Sequence, residues 1–229
     1  MLKPYECGYP LMRQGFNGDG GYLIPASPMN WDGIVSPGVG GSIAFEKNLA
    51  STRTTVILID GSVESPKNLP LNFHFYPKML ANYSRNESEI TLGQVLENHS
   101  LKGKSNLLQM DIEGFEWEVL PYIVDSDLLE FKVFIVEFHF LDSLSDIHAA
   151  FDKEKIIKQL LKNYFVCHFH INNGGGFFFF KGKRYPKVVE ITWLRRDIFL
   201  QGKPANIPHE LDFPNDSEIY DWSKFGVVI

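Results

Sequence analysis

The stretch from Leu107 to Leu120 constrains the fold of this chain more than any other. It consists of the residues LLQMDIEGFEWEVL, an apolar run that stops abruptly at two acids, Asp111 and Glu113. A glycine and a stretch with helical spacing follow. This pattern is typical of a buried parallel strand that leads into a crossover helix. In open α/β sheets the ligand lies beyond the carboxyl ends of the strands, so we expect these acids at a ligand site.

Short apolar strands alternate with helical patterns along most of the chain. The predicted strands cover residues 22–24, 33–36, 56–59, 73–76, 107–110, 133–138, 165–171 and 188–194. This alternation predicts an α/β fold with a doubly wound, mostly parallel sheet. Because only a glycine-rich loop joins the last two strands, we expect that pair to be antiparallel.

Helices are predicted between these strands. One covers residues 42–51, and a second begins at a capping box formed by Thr91 and Gln94. A third covers residues 146–163, where Ile147, Phe151, Ile157 and Leu161 recur at helical spacing with lysines opposite. That spacing predicts that these four side chains face the core.

The whole chain of 229 residues suits a single domain. Residues 1–30 are rich in glycine and proline and indicate an irregular N-terminal segment. Residues 200–229 form a tail that we expect to pack back on the domain. The tail carries Pro208, Pro214, Tyr220 and Trp222, and a homodimer contact through it stays open.

Composition and charge exclude several classes of protein. A net charge of -6 gives no reason to expect a nucleic-acid partner. The two cysteines form neither a disulfide framework nor a metal-binding spacing, so reduced thiols are expected. The first residues lack the apolar core of a signal peptide, and no run approaches the roughly 20 apolar residues of a membrane span. We therefore expect a soluble, cytoplasmic protein.

A glycine-rich loop follows the first core strand. Gly38, Gly40 and Gly41 allow backbone amides to approach a ligand, and Asp60 ends the next strand 22 residues after Gly38. That spacing suits a carboxylate that accepts hydrogen bonds from the two ribose hydroxyls of a nucleoside. A tight turn followed by a helix-capping acid would produce the same pattern. A dinucleotide site is disfavoured because Ile43 stands where the third glycine belongs, whereas S-adenosylmethionine has no pyrophosphate and needs only the first part of the loop.

An ordered set of segments resembles FkbM-like S-adenosylmethionine-dependent methyltransferases. The similar segments are 19–22, 36–46, 91–92, 111–114 with 116–117, 137–139, 170–173 and 190–192. Within the second of these, Ser36 and Glu46 join the glycines as expected cofactor residues. Gly61, after Asp60, is also expected near the cofactor, although relatives often carry proline there. Asp111 and Glu113 are further cofactor candidates.

This resemblance implies a class I methyltransferase (Rossmann-like) fold with a seven-stranded sheet whose last strand is antiparallel. It also implies S-adenosyl-L-methionine as cofactor, S-adenosyl-L-homocysteine as product, and O-methylation of a small hydroxylated acceptor. The acceptor is expected to be a sugar or a nucleotide-linked sugar, as in glycan or secondary-metabolite synthesis. A non-catalytic glycan-binding or scaffold relative, and a nicotinamide-dependent oxidoreductase, remain as alternatives.

Four residues are candidates for catalysis at the carboxyl edge of the sheet. Methyl transfer requires a base that takes the proton of the acceptor hydroxyl, and a neutral imidazole near its normal pKa suits that role. We expect His139 to be the base, oriented by Glu137 or Asp111, and His170 is the second candidate. Asp111 could instead bind the cofactor's amino group, and Glu113 could cap the helix that follows it.

The acceptor is expected to contact polar residues on two loops. Asn172 and Asn173 offer amides to a sugar ring, and the resemblance implies that Asp19 and Gly20 lie near the same pocket. The acids and histidines together would also suit a divalent metal. A required metal is not favoured, because no recognisable ligand spacing is present.

Overall fold

The computed structural model describes residues 2–221. Its strands are β1 (Leu11–Gln14), β2 (Tyr22–Pro25), β3 (Gly33–Pro37), β4 (Thr55–Ile59), β5 (Phe73–Tyr76), β6 (Met79–Leu80), β7 (Glu89–Ile90), β8 (Asn106–Met110), β9 (Phe131–Phe138), β10 (Tyr164–Ile171), β11 (Phe177–Phe180), β12 (Lys183–Pro186) and β13 (Val189–Arg195). Its α-helices are α1 (Ala44–Leu49), α2 (Leu92–Asn98), α3 (Glu116–Ile123) and α4 (Ile147–Asn163), with short 3₁₀ turns at Asp127–Glu130 and Leu141–Ser145.

Seven of these strands form one sheet in the order β10-β13-β9-β8-β3-β4-β5. The pairs among β9, β8, β3, β4 and β5 are parallel, whereas β13 is antiparallel to both of its neighbours. The predicted α/β fold with a seven-stranded sheet and an antiparallel last strand is confirmed. The chain leaves β3 in one direction and returns to β8 on its other side, so the switch point of the sheet lies between these two strands.

Helices cover both faces of the sheet, which explains why its strands are apolar on both sides. On one face, α2, α3 and α4 bury apolar side chains against residues such as Leu108 and Phe134. On the other face, α1 and the β1–β2 hairpin pack over Ile34 and Leu107. Within residues 2–221, none of the helices has both the length and the apolar character needed to cross a membrane.

Two segments contain more β-structure than predicted, and the buried face of one helix differs from the predicted face. Residues 1–30 contain the antiparallel β1–β2 hairpin, and the glycine-rich loop between β10 and β13 contains a second hairpin, β11–β12. In α4, Ile147 and Phe151 are 78% and 67% exposed, while Ile156 and Leu160 are buried. The prediction of the inner face was wrong because α4 carries two apolar stripes, and helical spacing alone does not decide which stripe meets the sheet.

The segment after β13 contacts two histidines of β10. His168 Nε2 lies 2.9 Å from Asp212 Oδ1, and His170 Nε2 lies 3.0 Å from Asn215 Oδ1. His170 Nδ1 is also 3.6 Å from Asp212 Oδ1. Trp222, predicted to pack on the domain, lies outside the described residues.

These contacts set the charge states at β10. Burial alone would lower the pKa of His170, but Asp212 and the charge of Glu190 raise it to about 9. Burial acts against ionisation of Asp212, yet its bonds to the two histidines hold its pKa well below the usual range. Burial lowers the pKa of His168, which also faces the ring of His209. The pair that carries charge at neutral pH is therefore His170 and Asp212.

Replacing His170 by glutamine is expected to remove a pH-dependent part of the stability. Because the folded-state pKa of about 9 exceeds the ordinary histidine value of 6.5, the stabilisation is fully present below about pH 6.5. It is lost as the pH rises through about 9, and it amounts to about 3 kcal/mol. Urea unfolding of both proteins from pH 6 to 9.5 measures it. The difference in unfolding free energy should shrink with rising pH; a difference that stays constant contradicts the assignment.

Candidate functional site

The loops that follow β3 and β8 touch each other at the switch point of the sheet. The Asp111 amide donates to the Pro37 carbonyl at 3.1 Å, and the Gly38 amide donates to Ile59 at 2.9 Å. Gly38 has φ +79°, and a Cβ there would overlap the carbonyl oxygen of Asp111. Glycine at position 38 is therefore required for the close approach of the two loops.

A first cavity of about 230 Å³ opens at this point. Its lining includes Gly38, Gly40, Asp60, Asp111 and Glu113. Gly40 has φ +55°, and a Cβ there would meet nothing within 4 Å. The open space above this glycine leaves its backbone accessible to a ligand.

Asp60 lies at the end of β4, where the spacing predicted it. Its Oδ2 accepts a hydrogen bond from the Gly40 amide at 3.0 Å, and its Oδ1 accepts from the amide and hydroxyl of Ser62. Burial opposes ionisation, but these bonds hold the pKa of Asp60 below its ordinary value. A carboxylate whose ionised form is favoured thus faces the cavity.

Other expected cofactor residues do not line this cavity. Ser36 Oγ is hydrogen-bonded to Glu46 and lies 2.6 Å from Gln109 Oε1, all within the core. Burial raises the pKa of Glu46, so a protonated Glu46 can donate to the hydroxyl, which has only one hydrogen of its own. Gly61 packs beside Met79. Gly41 is exposed, with open space around it.

A second cavity of about 720 Å³ adjoins the first. Asp19, Glu137, His139 and Asn172 line it together with residues of the C-terminal segment. Asp111 and Glu113 line both cavities. The two cavities therefore share one wall, which carries two carboxylates.

His139 lines the second cavity next to the acids of this wall. Its Nε2 lies 3.4 Å from Glu113 Oε2, 3.8 Å from Asp111 Oδ1 and 3.8 Å from Glu137 Oε1. Its Nδ1 lies 3.2 Å from Glu116 Oε1. Strand β9 brings Glu137 and His139 to the same side, and the parallel pairing of β8 with β9 brings Asp111 beside them.

Glu116 orients the imidazole, a role that the sequence had suggested for Glu137 or Asp111. Its side chain is fully buried, and Oε1 also accepts hydrogen bonds from the amides of Ile112 and Gly114. It therefore fixes both the imidazole and the loop that carries Asp111. The sequence did contain a signal for this role of Glu116. It is an acid in the first turn of a helix that follows a strand, and such a side chain can turn back to accept hydrogen bonds from loop amides.

The aromatic neighbours of His139 hold its backbone. The Trp117 indole donates to the His139 carbonyl at 2.8 Å, and its ring stacks on Phe138 with centroids 4.5 Å apart. Gly114 has φ +104°, and a Cβ there would overlap the ring of Phe140. Glu113 and Phe140 also have positive φ, at 56° and 53°. Backbone conformations of this kind concentrate at functional sites.

Two acids near His139, Asp111 and Glu137, have strongly shifted pKa values. Burial raises the pKa of Asp111 to about 7, with His139 opposing the shift and Glu113 adding to it. Burial and the neighbouring Glu190 raise the pKa of Glu137 to about 10. Burial alone would lower the pKa of His139, but Glu116 and the charges of Asp111 and Glu113 raise it. The imidazole is thus more basic than the near-normal group expected from the sequence.

The expected acceptor residues divide between the cavity and the C-terminal segment. Asn172 donates to Glu137 Oε1 at 2.6 Å, whereas Asn173 bonds to the backbone of Asp216 and Ile219. Gly20 adjoins Asp19 but does not line the cavity, and His170 is held by Asp212 and Asn215. Glu190, which pairs with Glu137 across β13 and β9, was missed as a neighbour of the site.

The mixed α/β fold with its seven-stranded sheet is consistent with a methyltransferase-like protein. Residues 53–164 match the family model described as the Methyltransferase FkbM domain. This match confirms the resemblance predicted from the sequence. The matched part holds Asp60, Asp111, Glu116, Glu137 and His139. Comparisons with curated proteins and with solved structures found no match.

Proposed function

We propose that this chain is an S-adenosylmethionine-dependent O-methyltransferase that acts on a small hydroxylated acceptor. One observation carries the proposal: two adjoining cavities share a wall that holds Asp111 and Glu113, and His139 lines the second cavity next to these two acids. A group transfer between two bound molecules needs such adjoining cavities, because donor and acceptor must meet in line.

The order of the strands supports a class I methyltransferase fold. Numbered by their place along the chain within the sheet, the seven strands lie in the order 3-2-1-4-5-7-6. This is the doubly wound order 3-2-1-4-5-6 with an antiparallel strand inserted next to the last one. Ligands of doubly wound sheets bind where the order reverses, between strands 1 and 4, and the first cavity lies there.

The first cavity suits the cofactor. The backbone at Gly40 is open, and the ionised Asp60 can accept hydrogen bonds from ribose hydroxyls. Asp111 and Glu113, on the shared wall, suit the cationic methionine end of the same molecule. S-adenosylmethionine bound in this way would direct its methyl group towards the second cavity.

The second cavity suits a polyhydroxylated acceptor. Its carboxylates and the Asn172 amide offer acceptors and donors for hydroxyl groups. In the transfer, an acceptor oxygen forms a bond to the methyl carbon, and the sulfur–carbon bond breaks with its electron pair passing to sulfur. The hydroxyl proton must leave, and the basic groups around His139 are the ones available to take it up. A sugar or nucleotide-linked sugar fits this chemistry.

Cofactor binding is tested by thermal shift with S-adenosylhomocysteine. The wild type should melt at a higher temperature with this ligand, because a ligand that binds only the folded state stabilises it. Gly40→Val should abolish the shift by blocking approach to the backbone. Gly103→Val is the matched control: Gly103 also has positive φ and no atom within 4 Å of its Cβ position. No shift for the wild type, or an equal loss in both variants, would contradict the proposal.

A further inference from the structure

Three potential metal ligands converge on the wall of the second cavity. One side-chain atom each of Asp111, Glu137 and His139 lies within 4.8 Å of the other two. Asp111 directly follows β8 and Glu137 lies in β9, and the residues before them, Met110 and Val136, are register partners. The sheet itself therefore places these ligands side by side.

The histidine is oriented for coordination through Nε2. Its Nδ1 lies 3.2 Å from the buried carboxylate of Glu116, and in the tautomer that donates Nδ1–H to this carboxylate, Nε2 carries the lone pair. Histidines that bind metals usually donate their other ring N–H to a carboxylate in this manner. The lone pair of Nε2 faces Asp111 and Glu137.

Unpaired oxygens lie at the same point. Glu137 is 3% exposed, and its Oε2 is buried without a hydrogen-bond partner among the described residues. Asp111 Oδ1 is likewise buried without such a partner. Buried oxygens of this kind are costly unless they are paired or coordinate a metal. Both residues line the 720 Å³ cavity, so an ion can reach them.

Acidic groups outnumber basic groups around this point. In the described part of the chain, the ion pairs recorded for Asp111, Glu113 and Glu137 all run to His139. Glu190 and Asp19 add two more carboxylates next to Glu137, with one ligand atom of each within 4.8 Å of the others. A divalent cation that displaces the protons of these acids would pair with several of their oxygens at once.

We propose that Asp111, Glu137 and His139 bind one divalent cation of the Mg²⁺ or Mn²⁺ class. Carboxylates with one imidazole suit these ions. Three protein ligands leave open positions on an octahedral ion, enough for two neighbouring hydroxyls of an acceptor. The role of the cation in the reaction rests on the proposed function. Coordination of two hydroxyls would restrict the acceptor to molecules with adjacent hydroxyl groups.

The ion changes the part that His139 plays. Coordination through Nε2 makes the imidazole a ligand, so it is not the base expected from the sequence. The cation acidifies the coordinated hydroxyl. Its proton passes to Glu113, whose side chain is 85% exposed and can release it to water. The oxygen would then attack the methyl carbon, the sulfur–carbon bond would break, and its electron pair would pass to sulfur.

Binding of Mn²⁺ to the chelator-treated full-length chain tests the site. Electron paramagnetic resonance, which detects free Mn²⁺, should show about one ion bound per chain. Glu137→Gln and Asp111→Asn should each weaken binding at least tenfold. Asp142→Asn removes a partly exposed acid that lies 3.8 Å from Lys187, and it should bind as the wild type does. No binding at millimolar Mn²⁺, or wild-type affinity in both site variants, overturns the proposal.

Another variant tests the residue that positions His139, as distinct from the proposed metal ligands. Glu116→Gln keeps the size of the side chain but removes the charge beside Nδ1, and it should weaken Mn²⁺ binding about 10- to 100-fold. Melting curves show whether each variant is folded. Wild-type affinity in a folded Glu116→Gln protein would contradict the orientation of His139. The S-adenosylhomocysteine shift, measured on the metal-free chain, reports separately on the proposed function, so either conclusion can fail alone.

Discussion

Alanine at position 38 is expected to destabilise the protein by about 3 kcal/mol or more. The new methyl group would overlap the Asp111 carbonyl, and residue 38 has φ +79°. The chain can relieve the overlap only by separating the glycine loop from the Asp111 loop, which breaks the hydrogen bond from Asp111 to Pro37. Urea unfolding followed by circular dichroism measures the change.

Gly40→Ala is the matched control for this substitution. Residue 40 also has positive φ, at 55°, but its added methyl group would meet nothing within 4 Å. Gly40→Ala should lower the free energy of unfolding by about 1 kcal/mol, because only the left-handed backbone conformation of alanine is unfavourable there. Equal stability losses in the two variants would show that the loops do not approach each other as closely as described.

Replacing His139 by alanine is expected to lower the rate of methyl transfer by about 10²- to 10⁴-fold. The imidazole is the group shared by all the acids of the wall, whether it binds an ion or takes the proton directly. Affinity for S-adenosylhomocysteine should change little, because His139 does not line the first cavity. Transfer of a labelled methyl group to free and nucleotide-linked sugars measures the rate.

His148→Ala, on the exposed side of α4, is the control for this experiment. It should retain the wild-type rate on any sugar that the wild type methylates. Because removing His139 leaves Glu116 buried without its partner, His139→Gln provides a variant closer in size. A folded variant at position 139 with a wild-type rate would exclude this residue from the reaction.

Local patterns predicted the sheet well. The apolar runs lie within about two residues of the observed strands, because strands buried on both faces admit few polar residues. The capping box of Thr91 and Gln94 is present at the start of α2. The inner face of α4 was predicted wrongly, because Ile147 and Phe151 have the spacing of a core stripe but are exposed, while Ile156 and Leu160 are buried.

The parts of the site that local sequence patterns could not predict depend on contacts between residues far apart in the chain. Asp60 and Asp111 could be placed because each directly follows a strand. The partnership of Glu116 with His139 spans 23 residues and depends on how α3 packs beside β9. The ligand set of Asp111, Glu137 and His139 likewise has no local spacing, because adjacent strands bring it together.

The wall common to both cavities makes the two binding equilibria interdependent. A molecule in the first cavity neutralises or displaces Asp111 and Glu113, and the second cavity then presents a different surface to its own ligand. Under the proposed function, the donor would change the affinity for the acceptor by some factor. By thermodynamic linkage, the acceptor would then change the affinity for the donor by the same factor. Under the proposed function, S-adenosylhomocysteine that stays bound in the first cavity would therefore change the rate at which the methylated product leaves the second cavity.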